Sequence, residues 1–186
     1  DIIIPGQFGL KYKVHNIHES IGFELFINGA YELDNIELII SKIPQNGVFI
    51  DIGANIGSIS IPISKLRPDI TIYSIEASPR VFAYLQYNVE VNGCSNIKIK
   101  NGALSNMDNQ VVPFYSPEEL FGKGSFSPVF TDIPEQVQTI KLDTFITENH
   151  IERVDFIKID VEGYEKTVLE GGAGLLSGIN PPYILF

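Results

Sequence analysis

Cysteine occurs once, at Cys94, in a chain of 186 residues. An intramolecular disulfide framework and an all-cysteine zinc site are therefore excluded, and a reducing, cytoplasmic setting is expected. Long apolar runs are missing too. Ile59-Ser60-Ile61-Pro62-Ile63 is interrupted almost at once, far short of the roughly 18 residues that span a bilayer. Asp1-Ile2-Ile3-Ile4-Pro5 lacks the basic start and apolar stretch of a signal peptide, so no membrane partner is expected. Positive charge is scarce: 13 Lys and Arg stand against 23 Asp and Glu, for a net charge of −10. Such a surface repels phosphate backbones, and nucleic acid is not an expected partner. The three histidines, His15, His18 and His150, show no ligand spacing, and no metal site is assigned to them.

What the chain does have is apolar content, 44% against 19% charged residues, enough for one core. From Asn46 onward, strand-like apolar runs alternate with helix-like stretches, the pattern of an α/β protein with a mostly parallel sheet and helices on both faces. Val48–Ile52 reads as a buried strand, followed by the turn Gly53–Gly57 and a helix to about Leu66. Thr71–Ile75 is a second strand. Ser78-Pro79 pairs an N-cap with proline at the first helical position, and Val81, Phe82, Leu85 and Val89 mark one face of the helix that follows. Ile97 to Lys100, Asp155 to Val161 and Tyr183 to Phe186 complete the strands. Between them Ser116–Gln136, with Pro117, Gly122, Gly124, Pro128 and Pro134, reads as a long irregular segment, either a lid or a variable surface excursion. Residues 1–45 form a preface packed on the 46–186 domain, with short strands over Tyr12–Val14 and Phe23–Ile27 and a helix over Glu32–Ile43.

The first turn carries chemistry. Asp51-x-Gly53-x-x-x-Gly57 ends a strand on an acid and opens a helix, bringing backbone amides close to a ligand. The glycines are four apart, so the dinucleotide fingerprint is not met, and no Walker lysine follows. A carboxylate at the strand tip suits a cationic group rather than a diphosphate. Glu76 ends the next strand, about 20 residues on, where a ribose diol is held by paired hydrogen bonds. Together the two acids describe a pocket for a positively charged nucleoside without phosphate; the alternative is a structural turn with Glu76 as a solvated cap.

Phe49-Ile50-Asp51-Ile52-Gly53-Ala54-Asn55-Ile56-Gly57 resembles the first motif of Rossmann-like, class I S-adenosylmethionine-dependent methyltransferases, and Ile75-Glu76-Ala77-Ser78-Pro79 resembles their acidic second motif. Ile157-Lys158-Ile159-Asp160-Val161-Glu162-Gly163-Tyr164-Glu165 is similar to the signature of the FkbM family within that class, as is Tyr31-Glu32 ahead of the first motif. The resemblance covers about Tyr31 to Phe186. It implies a class I sandwich with S-adenosyl-L-methionine as cofactor, and methyl transfer to a hydroxyl of a sugar, polysaccharide or polyketide-like acceptor. It also implies that Asp51, Gly53, Ala54, Asn55 and Gly57 bind the methionine moiety and Glu76 the ribose. Ala77 and Gly102-Ala103-Leu104 would flank the adenine, with Ser105 at its edge. The class has seven strands where five are legible here, so C-terminal strands are expected to be missing and the exposed sheet edge is a candidate for association with a second copy.

Along an extended strand, Lys158, Asp160 and Glu162 fall on one face. Charged groups on a buried strand need partners, and Lys158 paired with an acid is the cheapest solution. The catalytic assignment follows: Asp160 contacts cofactor and acceptor, Glu162 takes the acceptor's proton, Lys158 sets their charge states, and Glu165 joins them from the next helical turn. Two other readings stand beside it. Asp160 and Glu162 are metal ligands that lack a clear third, or the lysine and acids only rigidify the sheet. A methyltransferase-like fold retained as a non-catalytic binding module is the alternative to an enzyme, and a nicotinamide dehydrogenase is disfavoured by the glycine spacing.

Overall fold

In a computed structural model, which describes residues 1–117, 120, 123–129 and 131–186, a five-stranded parallel sheet forms the centre. Its strands are β3 (Val48–Ile52), β4 (Thr71–Glu76), β5 (Ile97–Asn101), β9 (Phe156–Ile159) and β10 (Tyr183–Leu185), in the spatial order β10-β9-β3-β4-β5. Counted along the chain this is 3-2-1-4-5, the doubly wound arrangement whose switch point lies between β3 and β9. The inner strands β3, β4 and β9 are short and mostly apolar because both their faces are covered, whereas the edge strand β5 alternates isoleucine with lysine.

One face packs Phe49, Ile72, Ile97 and Phe156 against helices α1 (Ser20–Asn28), α2 (Leu33–Lys42), α3 (Ser60–Leu66) and α4 (Pro79–Val91). The other packs Ile50, Ile52, Ile75, Ile157 and Ile159 against α5 (Leu142–Glu148) and α6 (Glu165–Gly171). Ser78 caps α4 by accepting from the Val81 amide at 3.3 Å, as its Ser-Pro start requires.

The hairpin of β1 (Ile2–Pro5) and β2 (Lys11–Val14) is held to α4 by two asparagines one turn apart. Asn88 exchanges hydrogen bonds with the backbone of Lys13 at 2.7 and 3.1 Å, and Asn92 does the same with Lys11 at 2.9 and 2.7 Å. The carboxamide, which both donates and accepts, stands in for a neighbouring strand.

Several sequence expectations change. Phe23–Ile27 is not a strand but the body of α1, because Glu19 accepts from the Gly22 and Ile21 amides and Gly29 ends the helix in the left-handed region. Only the Ile21–Leu25 side of that helix is buried, while Phe23, Phe26 and Ile27 remain exposed. A second, three-stranded sheet was not foreseen. It joins β6 (Ala103–Ser105), β8 (Glu135–Lys141) and β7 (Val111–Phe114), so the irregular segment ends at Glu135 and is pinned by a bridge between Tyr115 and Ser125. Gly122 lies outside the described residues. Strand β9 stops at Ile159 instead of Val161, although the Asp160 amide still donates to Ile52 O at 3.0 Å. No helix among the described residues is long and apolar enough to cross a membrane.

Candidate active site

Parallel register sets a polar row inside the sheet. Asp51 lies opposite Ser74 on β4 and opposite Lys158 on β9, so three polar side chains line up on the face covered by α3. Hydrogen bonds join Ser74, Ser60 and Asp51, and an ion pair joins Asp51 to Lys158. Ser74 and Ser60 hydroxyls are 2.7 Å apart, Ser60 Oγ donates to Asp51 Oδ2 at 2.5 Å, and Lys158 Nζ stands 3.8 Å from Asp51 Oδ1. Lys158 Nζ also reaches Asp160 Oδ2 at 3.2 Å. Burial pushes the Asp51 carboxyl up, against the pull of Lys158 and Ser60. Burial alone would pull the Lys158 ammonium down, but Asp51, Asp160 and Glu32 together carry it above its ordinary value. Among the described residues, Asp51 Oδ1 is the buried side-chain polar atom without a hydrogen bond.

Above this row a cavity of about 230 Å³ opens at the carboxyl ends of β3, β4 and β9. Ten of the twelve residues assigned from sequence line it: Gly53, Ala54 and Asn55 from the first turn; Glu76 and Ala77 from β4; Gly102 and Ala103 after β5; and Lys158, Asp160 and Glu162 beyond β9. Asp51 and Gly57 do not. Asp51 lies beneath the floor, sealed from solvent, and Gly57 packs against Ile61 and Leu85. Ser105 is not in the lining either. Glu165 accepts from the Gly163 amide at 3.0 Å and stays out of the cavity.

Gly53 is where the two strand tips touch. Its φ is +78°, and a Cβ there would lie 1.9 Å from the carbonyl oxygen of Asp160. Only a residue without a side chain lets β3 and β9 converge this closely. The Gly53 and Ala54 amides both donate to Ile75 O at 3.0 Å, tying the turn to β4.

At one end of the cavity, Glu76 accepts from the amides of Asn55 at 3.0 Å and Ser78 at 2.9 Å. Burial raises its carboxyl to about 7, against those amides. A carboxylate oxygen accepts more than one hydrogen bond, Glu76 lines the cavity, and Ala77, Leu104 and Phe114 add apolar lining. This fits a ribose diol and a flat base.

At the other end, Glu162 departs from the strand alternation expected for it. Glu162 and Gly163 both have positive φ, +48° and +89°, which turns the chain and sends the Glu162 carboxylate to Lys123 Nζ at 3.3 Å. Glu32 (+48°) and Asn55 (+52°) are left-handed non-glycine residues lining the same cavity. Such conformations cost of order 1–3 kcal/mol each and persist where the surroundings dictate them. Tyr31 also lines this end, its phenol pushed up by burial and then by Glu32 and Asp160.

Several lining residues had no assignment from sequence. Ser20 and Ile21 arrive because α1 folds as a helix. Ser116, Lys123 and Phe126 come from the irregular segment, where Phe126 stacks on Tyr164 with ring centroids 4.1 Å apart. No periodic pattern marks a loop, so only its unusual length signalled them. Among the described residues no group of three or more His, Cys, Asp or Glu side chains is placed to hold a metal ion.

The family model described as "Methyltransferase FkbM domain" matches residues 51–186. Methyltransferase 1 of Beauveria bassiana is 26% identical over 190 residues, covering 92% of this chain and 72% of its own length. Hexuronic acid methyltransferase AglP of Haloferax volcanii is 26% identical over 80% of this chain and 59% of its own. The 2-O-methyltransferase NoeI of Sinorhizobium fredii is 27% identical over 70% of this chain and 59% of its own. The chain thus spans under two thirds of the length of the last two relatives.

Proposed function

The chain belongs to the FkbM methyltransferase family, and on that premise we propose that it methylates a hydroxyl group of a saccharide or polyketide-like acceptor, with S-adenosylmethionine as donor. The observation that carries the reading is the placement of two different acidic ends in one cavity at the switch point. A buried carboxylate, Glu76, stands at one end, and the Lys158–Asp160 pair with Glu162 stands at the other. The name of one relative, a 2-O-methyltransferase, supports oxygen as the receiving atom.

Bound there, the donor supplies an electrophilic methyl group on a sulfonium together with its own leaving group, a thioether that keeps the bonding electrons. The chain's own residues hold and orient. Glu76 receives the ribose hydroxyls, Ala77 and Leu104 pack the base, and Gly53 with Ala54 and Asn55 shapes the methionine end. Alignment of donor and acceptor is the larger contribution in a displacement of this kind.

A neutral hydroxyl is a weak nucleophile, and its proton must leave as the C–O bond forms. Glu162 receives that proton and Asp160 orients the acceptor, for roughly 10²–10⁴-fold in rate. Lys158, anchored from below by Asp51, holds the Asp160 carboxylate in place at 3.2 Å.

Calorimetric titration with S-adenosylmethionine, S-adenosylhomocysteine and NAD tests the donor assignment. Saturable binding of the two adenosyl ligands with no binding of NAD is expected, and a folded chain that takes up NAD instead would refute it. Asp160→Asn and Glu162→Gln should retain donor binding and lose transfer. Unchanged transfer by both would refute the roles given to them.

A further inference from the structure

We propose that the acceptor is an uncharged polyhydroxy molecule, and that the cavity rejects acceptors carrying a carboxylate, phosphate or sulfate. The inference rests on the methyl-transfer reading above and concerns what its acceptor end admits. Among the described residues three carboxylates line that end, Glu32 from the α2 cap and Asp160 and Glu162 from beyond β9. Two cations line it, and both are already engaged: Lys158 between Asp51 and Asp160 at 3.8 and 3.2 Å, and Lys123 with Glu162 at 3.3 Å. No arginine or histidine is among the described lining residues. Recognition of an anionic group calls for an uncommitted guanidinium or ammonium, and this end offers none.

Hydrogen-bonding capacity points the same way. Ionised carboxylates only accept, and the side chains of Asp160 and Glu162 are 55% and 39% exposed. Hydroxyl groups can donate to them, whereas a carboxylate or phosphate dianion cannot. The field is already felt inside the protein: after burial, Glu32 and Asp160 are the groups that push the Tyr31 phenol upward. Placing another negative charge there sets like charges together with no offsetting partner, which is how a site excludes a competitor. S-adenosylmethionine is net cationic and gains from the same field.

The test gives the full chain methyl-labelled S-adenosylmethionine and, in separate reactions at equal concentration, methyl glucoside, methyl N-acetylglucosaminide or methyl glucuronoside. Label transferred to each neutral glycoside should exceed label transferred to the glucuronoside, ether and ester products together, by at least about tenfold. Glu32→Gln and Glu162→Gln, checked for folding by thermal melting, should narrow the ratio of whatever transfer remains. Equal or greater label in the glucuronoside overturns the inference and leaves the methyltransferase reading intact. Donor binding without label in any saccharide overturns the saccharide acceptor itself, and absent donor binding overturns the donor assignment.

Discussion

Asp51 and Lys158 face each other across the β3–β9 ladder, carboxylate and ammonium 3.8 Å apart, with their side chains 1% and 7% exposed. Sheet register makes this pairing: both residues lie on the α3 face, one below the cavity floor and the other reaching up to Asp160. Through Lys158 the relationship ties the buried Asp51 to Asp160, whose side chain is 55% exposed.

Removing Lys158 strips the buried Asp51 of the lysine that faces it, which costs about 3–5 kcal/mol, whereas removing Asp51 costs less because Lys158 keeps Asp160 at 3.2 Å. Lys158→Met should lower stability by that order in urea unfolding, and Asp51→Leu by less. The double variant should recover most of the loss, because two apolar side chains of similar volume replace the pair. Additive losses in the double variant would show that the two charges do not compensate one another.

Glu76 gives binding a pH dependence. Its carboxyl is raised to about 7 in the folded chain from an ordinary 4.5, so the folded state binds more protons and this group's contribution to stability falls as pH rises from about 4.5 to 7. A diol donates to the ionised form. Affinity for S-adenosylhomocysteine should therefore rise by up to tenfold per pH unit below about 7 and level off above it. Glu76→Gln should flatten the profile and weaken binding by about 10–100-fold. A wild-type profile that is flat from pH 5.5 to 8 on this titration would count against the assignment (a range of about 2.5 units around the shifted carboxyl).

Gly53→Ala should be among the most damaging small substitutions. The new Cβ meets the Asp160 carbonyl at 1.9 Å, on top of a φ of +78°. A loss above about 3 kcal/mol is expected, together with loss of donor binding. Gly93→Ala is the control: its φ is +63°, but nothing lies within 4 Å, so only about 1 kcal/mol should go. Equal effects in chemical denaturation would mean that the strand tips tolerate separation.

Phe126 holds the irregular segment down through its stack on Tyr164 at 4.1 Å and an edge contact to Phe114 at 5.1 Å. Each aromatic pair is worth about 0.5–1.5 kcal/mol beyond its area. Phe126→Ala should raise the rate of trypsin cleavage after Lys123 about tenfold and weaken donor binding. An unchanged cleavage rate would mean that other contacts hold the segment.

Where residues carry their own backbone instruction, the chain was readable without a fold. Ser78-Pro79 starts α4, Asn92-Gly93 stops it, and the apolar runs around Ile50, Ile72 and Ile157 are strands because both faces of a parallel sheet are buried. Phe23–Ile27 misled because three apolar residues at alternate positions, Phe23, Leu25 and Ile27, imitate a half-buried strand. The deciding signal was the Glu19 carboxylate on two amides, an uncommon cap for which the sequence offered no periodicity. The short strands β6 and β7 escaped because their pairing with β8 is a long-range choice.

From residue order alone came the family motifs, the strand–turn–helix opening at Gly53 and the expectation of a nucleoside pocket between Asp51 and Glu76, since spacing along one chain sets which groups end neighbouring strands. Tertiary structure alone decided which of those groups reach the cavity. Asp51 went under the floor because register matched it to Lys158, and Glu162 left the strand face because two left-handed residues turned the chain toward Lys123. It also brought Glu32 from the cap of α2 to Asp160 more than a hundred residues later. Side-chain periodicity is local and survives in sequence, whereas register and loop closure depend on contacts between distant segments and exist only once the sheet has formed.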